Sequence, residues 1–266
     1  QVLYKNDVRD YSNVQHNVHA LYNYTFNEKH TLTVGADYLR DYLMSYQFTD
    51  NANYIMHTAD AFGQFDWNPT ERLNVIAGLR FDYFSDSNVR HLSPHLGMMY
   101  KIGNCSLRGS YSQGFRSPTL KEMYMVFNMA NMMMIYGNPE LKSETSHIFS
   151  LSAEYTKKRY NFSVTGYYNL VHNRIYTVYS DDPKGQIYTN TDKVDIAGVD
   201  ANISAKYPCG LGFRMSYTYI HEFMRDGQKK FTDTRPHTAT VRVDWGENLD
   251  KVDFNYSLNG RILSEV

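Results

Sequence analysis

The side chains best suited to chemistry are concentrated between Tyr111 and Thr145. Arg116 offers a planar guanidinium that can grip a carboxylate or a phosphate with two prongs, whether the partner is an acidic neighbour or a ligand. Downstream come Met123, Met125, Met129, Met132, Met133 and Met134, with Tyr124 and Tyr136 among them. Thioethers are flexible and polarisable, so such a cluster suits contact with a broad apolar face, and soft sulfur also ligates some metals. Arg116, Met129, Met132, Met133, Met134 and Tyr136, joined by His57 from an earlier segment, are the ligand-binding candidates. A neutral imidazole such as His57 can ligate iron or cobalt. The plainer reading of the methionines is a loop that packs its own apolar side chains together or docks a partner protein. The ten histidines are scattered; among them His91, His221 and His237, like His57, fall at or near expected loops, and His16, His19, His30 and His147 in expected strands or turns. The sequence contains no HExxH, CxxC or Gly-rich phosphate loop. Its Ser, His and Asp residues form no readable triad. The expected chemistry is binding rather than catalysis, with the identity of any bound metal left open.

Strands must position these residues. Period-two alternation dominates the chain. Between 73 and 84, Leu73, Val75, Ala77, Leu79, Phe81 and Tyr83 share one face, and Asn74, Arg80 and Asp82 lie on the other. Residues 161–170, 212–219 and 251–259 repeat the pattern. About twelve strands follow, near 14–26, 31–48, 58–68, 72–85, 91–102, 105–118, 146–156, 160–178, 186–207, 211–224, 235–246 and 251–262. The best candidate for a helix is the short stretch 119–127. No apolar run approaches the ~18 residues of a membrane helix. Several strands are far longer than the ~5–6 residues usual in globular sheets, and Arg, Asp, Asn and Ser sit in their middles. A transmembrane antiparallel β-barrel has these features together, because its apolar side chains face lipid and its polar ones the lumen. The expected fold is therefore all-β, with residues 1–266 forming one partial barrel domain.

The connections alternate in length. Short ones lie at 27–30, 68–71, 103–104, 157–159, 208–210 and 246–250; long ones at 49–57, 85–90, 119–145, 178–185 and 224–234. Outer-membrane barrels have this asymmetry, with tight periplasmic turns and large outer loops. Tyr22, Tyr24, Phe26, Phe65, Trp67, Tyr155, Tyr160 and Trp245 gather near the short turns, where an interfacial aromatic girdle would stand. Cys105 and Cys209 fall in turns four strands apart, roughly 19 Å at the spacing of paired strands, and are expected as free thiols. Lipid offers no partner to an open sheet edge, so about twelve strands imply a larger barrel.

Two segments of the longest connection carry a resemblance. Gly114-Phe115-Arg116-Ser117-Pro118 and, beyond the methionines, Asn138-Pro139-Glu140-Leu141 resemble the paired motif of TonB-dependent receptors. Leu79-Arg80-Phe81-Asp82-Tyr83-Phe84-Ser85 is also similar to a common strand end of that family. The resemblance implies a barrel of about 22 strands, closed by an N-terminal plug that, with the final strands, is not part of this sequence. It implies residence in the bacterial outer membrane and import of scarce metal chelates with energy passed through TonB. The motif residues carried over are Phe115, Arg116, Pro118, Asn138, Pro139 and Leu141. The motif pair is typical of haem receptors, and related forms occur in cobalamin and siderophore receptors. A metal-containing macrocycle, haem or cobalamin, is thus the leading expectation, carried as transported ligand rather than prosthetic group. A ferric siderophore, or a non-transport barrel for adhesion or scaffolding, is the alternative. The haem group usually has a His between the two segments, and this chain has none between Pro118 and Asn138. TonB, outer-membrane lipid and a surface lipoprotein are the expected partners. The formal net charge of −1 gives no argument for nucleic acid.

Overall fold

The computed structural model describes residues 11–27, 29–48, 52–85, 88–129, 133–181, 184–223, 235–249 and 252–265. Among these, β1 (Tyr11–Phe26), β2 (His30–Ser45), β3 (Asn53–Thr70), β4 (Leu73–Phe84), β5 (Val89–Ile102) and β6 (Cys105–Arg116) precede a helix, α1 (Leu120–Tyr124), and two short strands, β7 (Val126–Met129) and β8 (Met133–Tyr136). They are followed by β9 (Glu144–Lys157), β10 (Tyr160–Asp181), β11 (Lys184–Lys206), β12 (Leu211–Phe223), β13 (His237–Leu249) and β14 (Val252–Leu263). The long strands form one sheet in chain order, with β9 taking the place beside β6. Each pairs antiparallel with its neighbours along that path.

The two faces of this sheet invert the usual order of a water-soluble protein. Leu151 is 75% exposed, Leu258 74% and Ile262 72%, whereas Asp60 is 8% and Asp82 5% exposed. Asp60 and Asp82 are cross-strand partners, and Arg80 reaches both, with Nη2 3.0 Å from Asp60 Oδ2 and Nε 2.8 Å from Asp82 Oδ1. The register carries apolar side chains in lateral rows around the outward face and polar ones around the other. An apolar outside and a polar inside is the arrangement of a barrel wall in lipid. All the residues expected in the aromatic girdle are exposed.

Left-handed backbone marks the tight turns. Gly103 has φ +59°, Lys158 +52° and Gly210 +80°. At Gly210 a side chain would also strike the carbonyl oxygen of Gly246, whose N–H donates to the Gly210 oxygen at 3.1 Å. Cys105 and Cys209 are both free thiols.

Three expectations are corrected. Among the described residues the sheet holds fourteen strands rather than about twelve, because β7 and β8 form inside the long connection. The helix stops at Tyr124, since Met125 is extended and bridges to Phe48. The connection expected at 178–185 is mostly strand: β10 and β11 stay paired out to Asp181 and Lys184. Isolated alternation is weak in that stretch, and the cross-strand ladder extends it.

Candidate functional site: the loop clasped at the outer rim

The connection between β6 and β9 starts from Arg116. At ~3.3 Å per residue and a tilt near ~40°, the run from Cys105 to Arg116 rises roughly 28 Å, past the ~25 Å apolar band. Arg116 therefore stands at the outer rim, opposite Glu144 in the β6–β9 ladder. Its Nη1 donates to both Glu122 oxygens at 3.0 and 2.9 Å, and its Nη2 to Glu144 Oε1 at 2.8 Å. Glu122 is also the third residue of α1. Its carboxylate accepts from the Thr119 N–H at 2.9 Å, and the Thr119 hydroxyl accepts from the Glu122 N–H at 3.2 Å, a complete capping box. One carboxylate thus starts the helix and ties it to the barrel wall.

The electrostatics agree with this geometry. The hydrogen bond to Glu144 and, against the cost of burial, the contacts to Glu122 hold the Arg116 guanidinium well above its ordinary range. Burial pushes the Glu144 carboxyl up. Hydrogen bonds from Arg116 and the Ile175 N–H, with the charges of Arg116 and Arg174, outweigh that and leave it below its usual value.

Two apolar clusters seat the loop on the inner face. Leu120 packs with Leu43 and Phe48, flanked by Tyr54, Met56, Tyr124 and Met125, and the Tyr54 and Tyr124 rings stack at 4.0 Å. Met123 packs with Leu141 and Ile175. Loop strands complete the bridge. Val126 N donates to Gln47 O at 2.8 Å, Met125 pairs with Phe48, β7 pairs antiparallel with β8, and β8 adds parallel to β11 at Gln186 and Ile187. Beyond Asp195, where the described ladder with β12 stops, the edge of β11 is taken by β8. From β2 to β11 the wall takes seven strand steps, about 34 Å of arc, whereas the loop takes three, about 14 Å. The loop is a chord across the lumen at the outer end.

The second motif segment closes the loop. Gly137 comes so near α1 that a Cβ there would lie 2.7 Å from the Met123 oxygen. Asn138 N donates to Glu122 O at 2.9 Å and Asn138 Nδ2 to Tyr188 O at 3.0 Å, and Asn138 Oδ1 accepts from the Glu140 N–H at 2.9 Å. Asn190 then clamps Lys142 from both sides, accepting from its N–H at 2.8 Å and donating to its oxygen at 2.9 Å.

The expected site residues divide accordingly. Phe115 stacks on His91 at 4.2 Å and leans on Phe84. Pro118 and Leu141 are buried and Pro139 is exposed. Met133, Met134 and Tyr136 are half-buried on β8. The backbone of Met129 pairs with Met133 in β7, and Met132 lies outside the described residues. His57 is a correction. It lies within β3, which begins at Asn53, and its Nδ1 is 2.7 Å from the Tyr38 hydroxyl on the outward face, away from the loop. Sequence reasoning missed Glu122, Glu144, Asn190 and Tyr188. Glu122 was readable, because Thr119-Leu120-Lys121-Glu122 has the capping-box spacing; the other three are placed only by sheet pairing.

The family model described as TonB dependent receptor-like, beta-barrel matches residues 2–264. The iron-regulated outer membrane virulence protein of Vibrio cholerae is 26% identical over 219 residues, which are 74% of this chain and 32% of that protein. The fold matches the siderophore receptor PirA of Pseudomonas aeruginosa with a TM-score of 0.75 at 16% identity, over 95% of this chain and 47% of that one. It matches the FrpB iron transporter of Neisseria meningitidis with a TM-score of 0.74 at 12% identity, over 95% and 43%. The chain spans about a third of the curated relative and under half of these structures.

Proposed function

The chain belongs to the TonB-dependent receptor-like β-barrel family and resides in the bacterial outer membrane, and from that premise we propose that it is part of a transporter that imports a ferric siderophore. The observation that carries the reading is the loop folded as a chord across the lumen, between the bridge of Phe48 to Met125 and the pairing of β8 with β11. On this reading a ligand entering from outside meets the loop that carries the half-buried Met133, Met134 and Tyr136 before it reaches the lumen below. The names of the similar proteins, an iron-regulated outer-membrane protein and a siderophore receptor, support iron as the cargo. Bound ligand is released inward with energy passed through TonB, in a barrel completed to about 22 strands and closed by a plug. A surface lipoprotein remains a further candidate partner.

Haem or cobalamin is the second reading. It is favoured by the motif pair and by the thioethers of β8, which suit a flat macrocycle. The deciding experiment titrates the full receptor in detergent with a ferric siderophore, haemin and cyanocobalamin, read by absorbance and co-elution. We expect saturable binding of the siderophore, weakened about tenfold when Met133, Met134 and Tyr136 become Ala. Saturable binding of a macrocycle alone transfers the assignment to haem or cobalamin. Binding that ignores the triple substitution removes β8 from the site.

A further inference from the structure

The wall is split between β5 and β6. Their ladder starts where Ile102 pairs with Cys105 and stops where His95 pairs with Ser112. Yet β4 stays paired with β5 up to Val89, and β9 with β6 up to Arg116. No backbone hydrogen bond of the described residues crosses between 89–94 and 113–116. Pro94 stands at the fork and has no N–H to offer a neighbouring strand. The run from Cys105 to Ser112 rises roughly 18 Å at ~3.3 Å per residue and a tilt near ~40°, so the seam opens below the top of the ~25 Å apolar band.

The side chains at the seam come from both faces. Gln113 and Phe115 continue the outward series of β6 that contains the exposed Leu107. His91 belongs to the inward series of β5, as the cross-strand partner of the buried Asp82. In an unbroken sheet the backbone separates the two faces. Here the Phe115 ring stacks on His91 at 4.2 Å and lies 5.5 Å from the inward Phe84, and Gln113 Nε2 is 3.2 Å from His91 Nε2. Such contacts pass through the wall. Unpaired backbone at membrane depth is tolerated only where it is buried in protein or lines a water-filled cavity, so the seam belongs to the lumen as well as to the lipid face. Its outer mouth opens beside the exposed Leu92 and Leu96, and its inner mouth beside the ion pair of Arg80 with Asp82.

We propose that this seam is a lateral slot for an acylated ligand, and that the transported siderophore class is one whose iron-binding head carries a fatty-acyl amide. The head lies in the lumen, the amide bonds to the unpaired backbone of 89–94 and 113–116, and the acyl chain passes between the strands into the outer leaflet. A passage with a polar inner mouth and an apolar outer one, continuous with the lipid-facing band, fits an amphiphile; an extended peptide would carry polar backbone into lipid. Phe115 is the stopper, because its ring fills the seam against His91 and Phe84 when no chain is there. The proposal rests on the siderophore reading and deepens it.

The test titrates the full receptor in phosphatidylcholine vesicles with a ferric hydroxamate siderophore bearing one fatty-acyl amide and with its deacylated form, partition into receptor-free vesicles being subtracted. The acylated form should bind about tenfold tighter, as one or two added hydrogen bonds imply. A diazirine placed in the acyl chain near the amide should crosslink, on illumination, to peptides containing 89–94 and 111–116. The variant Q113W, whose indole occupies the seam, should lose the preference, with folding checked by heat-modified gel mobility; should it fail to fold, the crosslinks on the unaltered receptor decide. Equal affinity for the two forms overturns the slot and leaves the siderophore reading standing, whereas binding of neither overturns both. Crosslinks confined to other segments, or a preference that survives in folded Q113W, also overturn the slot.

Discussion

Arg116 has two carboxylates as its partners, and that arrangement makes it a clasp. To bind a ligand phosphate it would first have to release Glu122 or Glu144, leaving a half-buried carboxylate without its counterion. Replacing Arg116 by Ala should loosen the loop by about 1–2 kcal/mol, a value discounted because the guanidinium is 41% exposed. Faster proteolytic cutting within 120–141 in a receptor that still folds is the expected readout; an unchanged rate would assign the anchoring to the apolar clusters alone. Glu144 adds a pH dependence. Its folded value lies below the ordinary 4.5, so its contribution is fully present above that value and is lost as pH falls through the lowered one. Loop protection measured from pH 7 downward should hold to about 4.5 and decline below it. A decline already complete above that range would point to another group.

At the level of elements, turns and edges decide what the long ladders leave open. The turn between β11 and β12 needs Gly210, both for its left-handed backbone and for the approach of Gly246. Gly210→Ala should therefore cost at least ~1 kcal/mol and slow barrel assembly, seen as a smaller fraction of heat-modifiable protein after refolding into vesicles. The helix is only five residues long and could not persist alone. Its capping box, the Arg116 clasp and the burial of Leu120 and Met123 hold it against the wall. The pairing with β7 and with β11 in turn explains why β8 is a strand, since its four residues, Met133–Tyr136, contain no alternation strong enough to demand one.

Across the whole molecule, the same register produces two environments from alternate residues. Leu151 and Ser152 are neighbours in β9, yet Leu151 is 75% exposed on the outward face and Ser152 accepts a hydrogen bond from Thr165 at 3.0 Å on the inner one. Leu151→Arg should destabilise insertion by ~2–4 kcal/mol at mid-band, while Ser152→Arg should cost ~1 kcal/mol or less. Urea titration of the receptor in vesicles checks the pair. Similar costs for both would mean that the assignment of faces is wrong.

The twelve long strands and their outward and inward faces were legible from residue type, because period-two alternation is a local property and lipid enforces it along each of them; β7, β8 and the strand paired through 178–185 were not, because pairing rather than alternation makes them. The motif pair was legible for the same reason: its residues are contiguous in the chain. What the motif does was not. Glu144 meets Arg116 only because β9 takes the place beside β6 across the long connection, and Asn190 meets Lys142 only because β11 lies two strands further on. His57, read from sequence as a loop ligand, belongs to the lipid-facing wall because the ladder with β2 extends β3 past its own alternation. Local patterns were set by the sequence itself; which distant side chains meet was decided by pairing and register, which no single strand encodes.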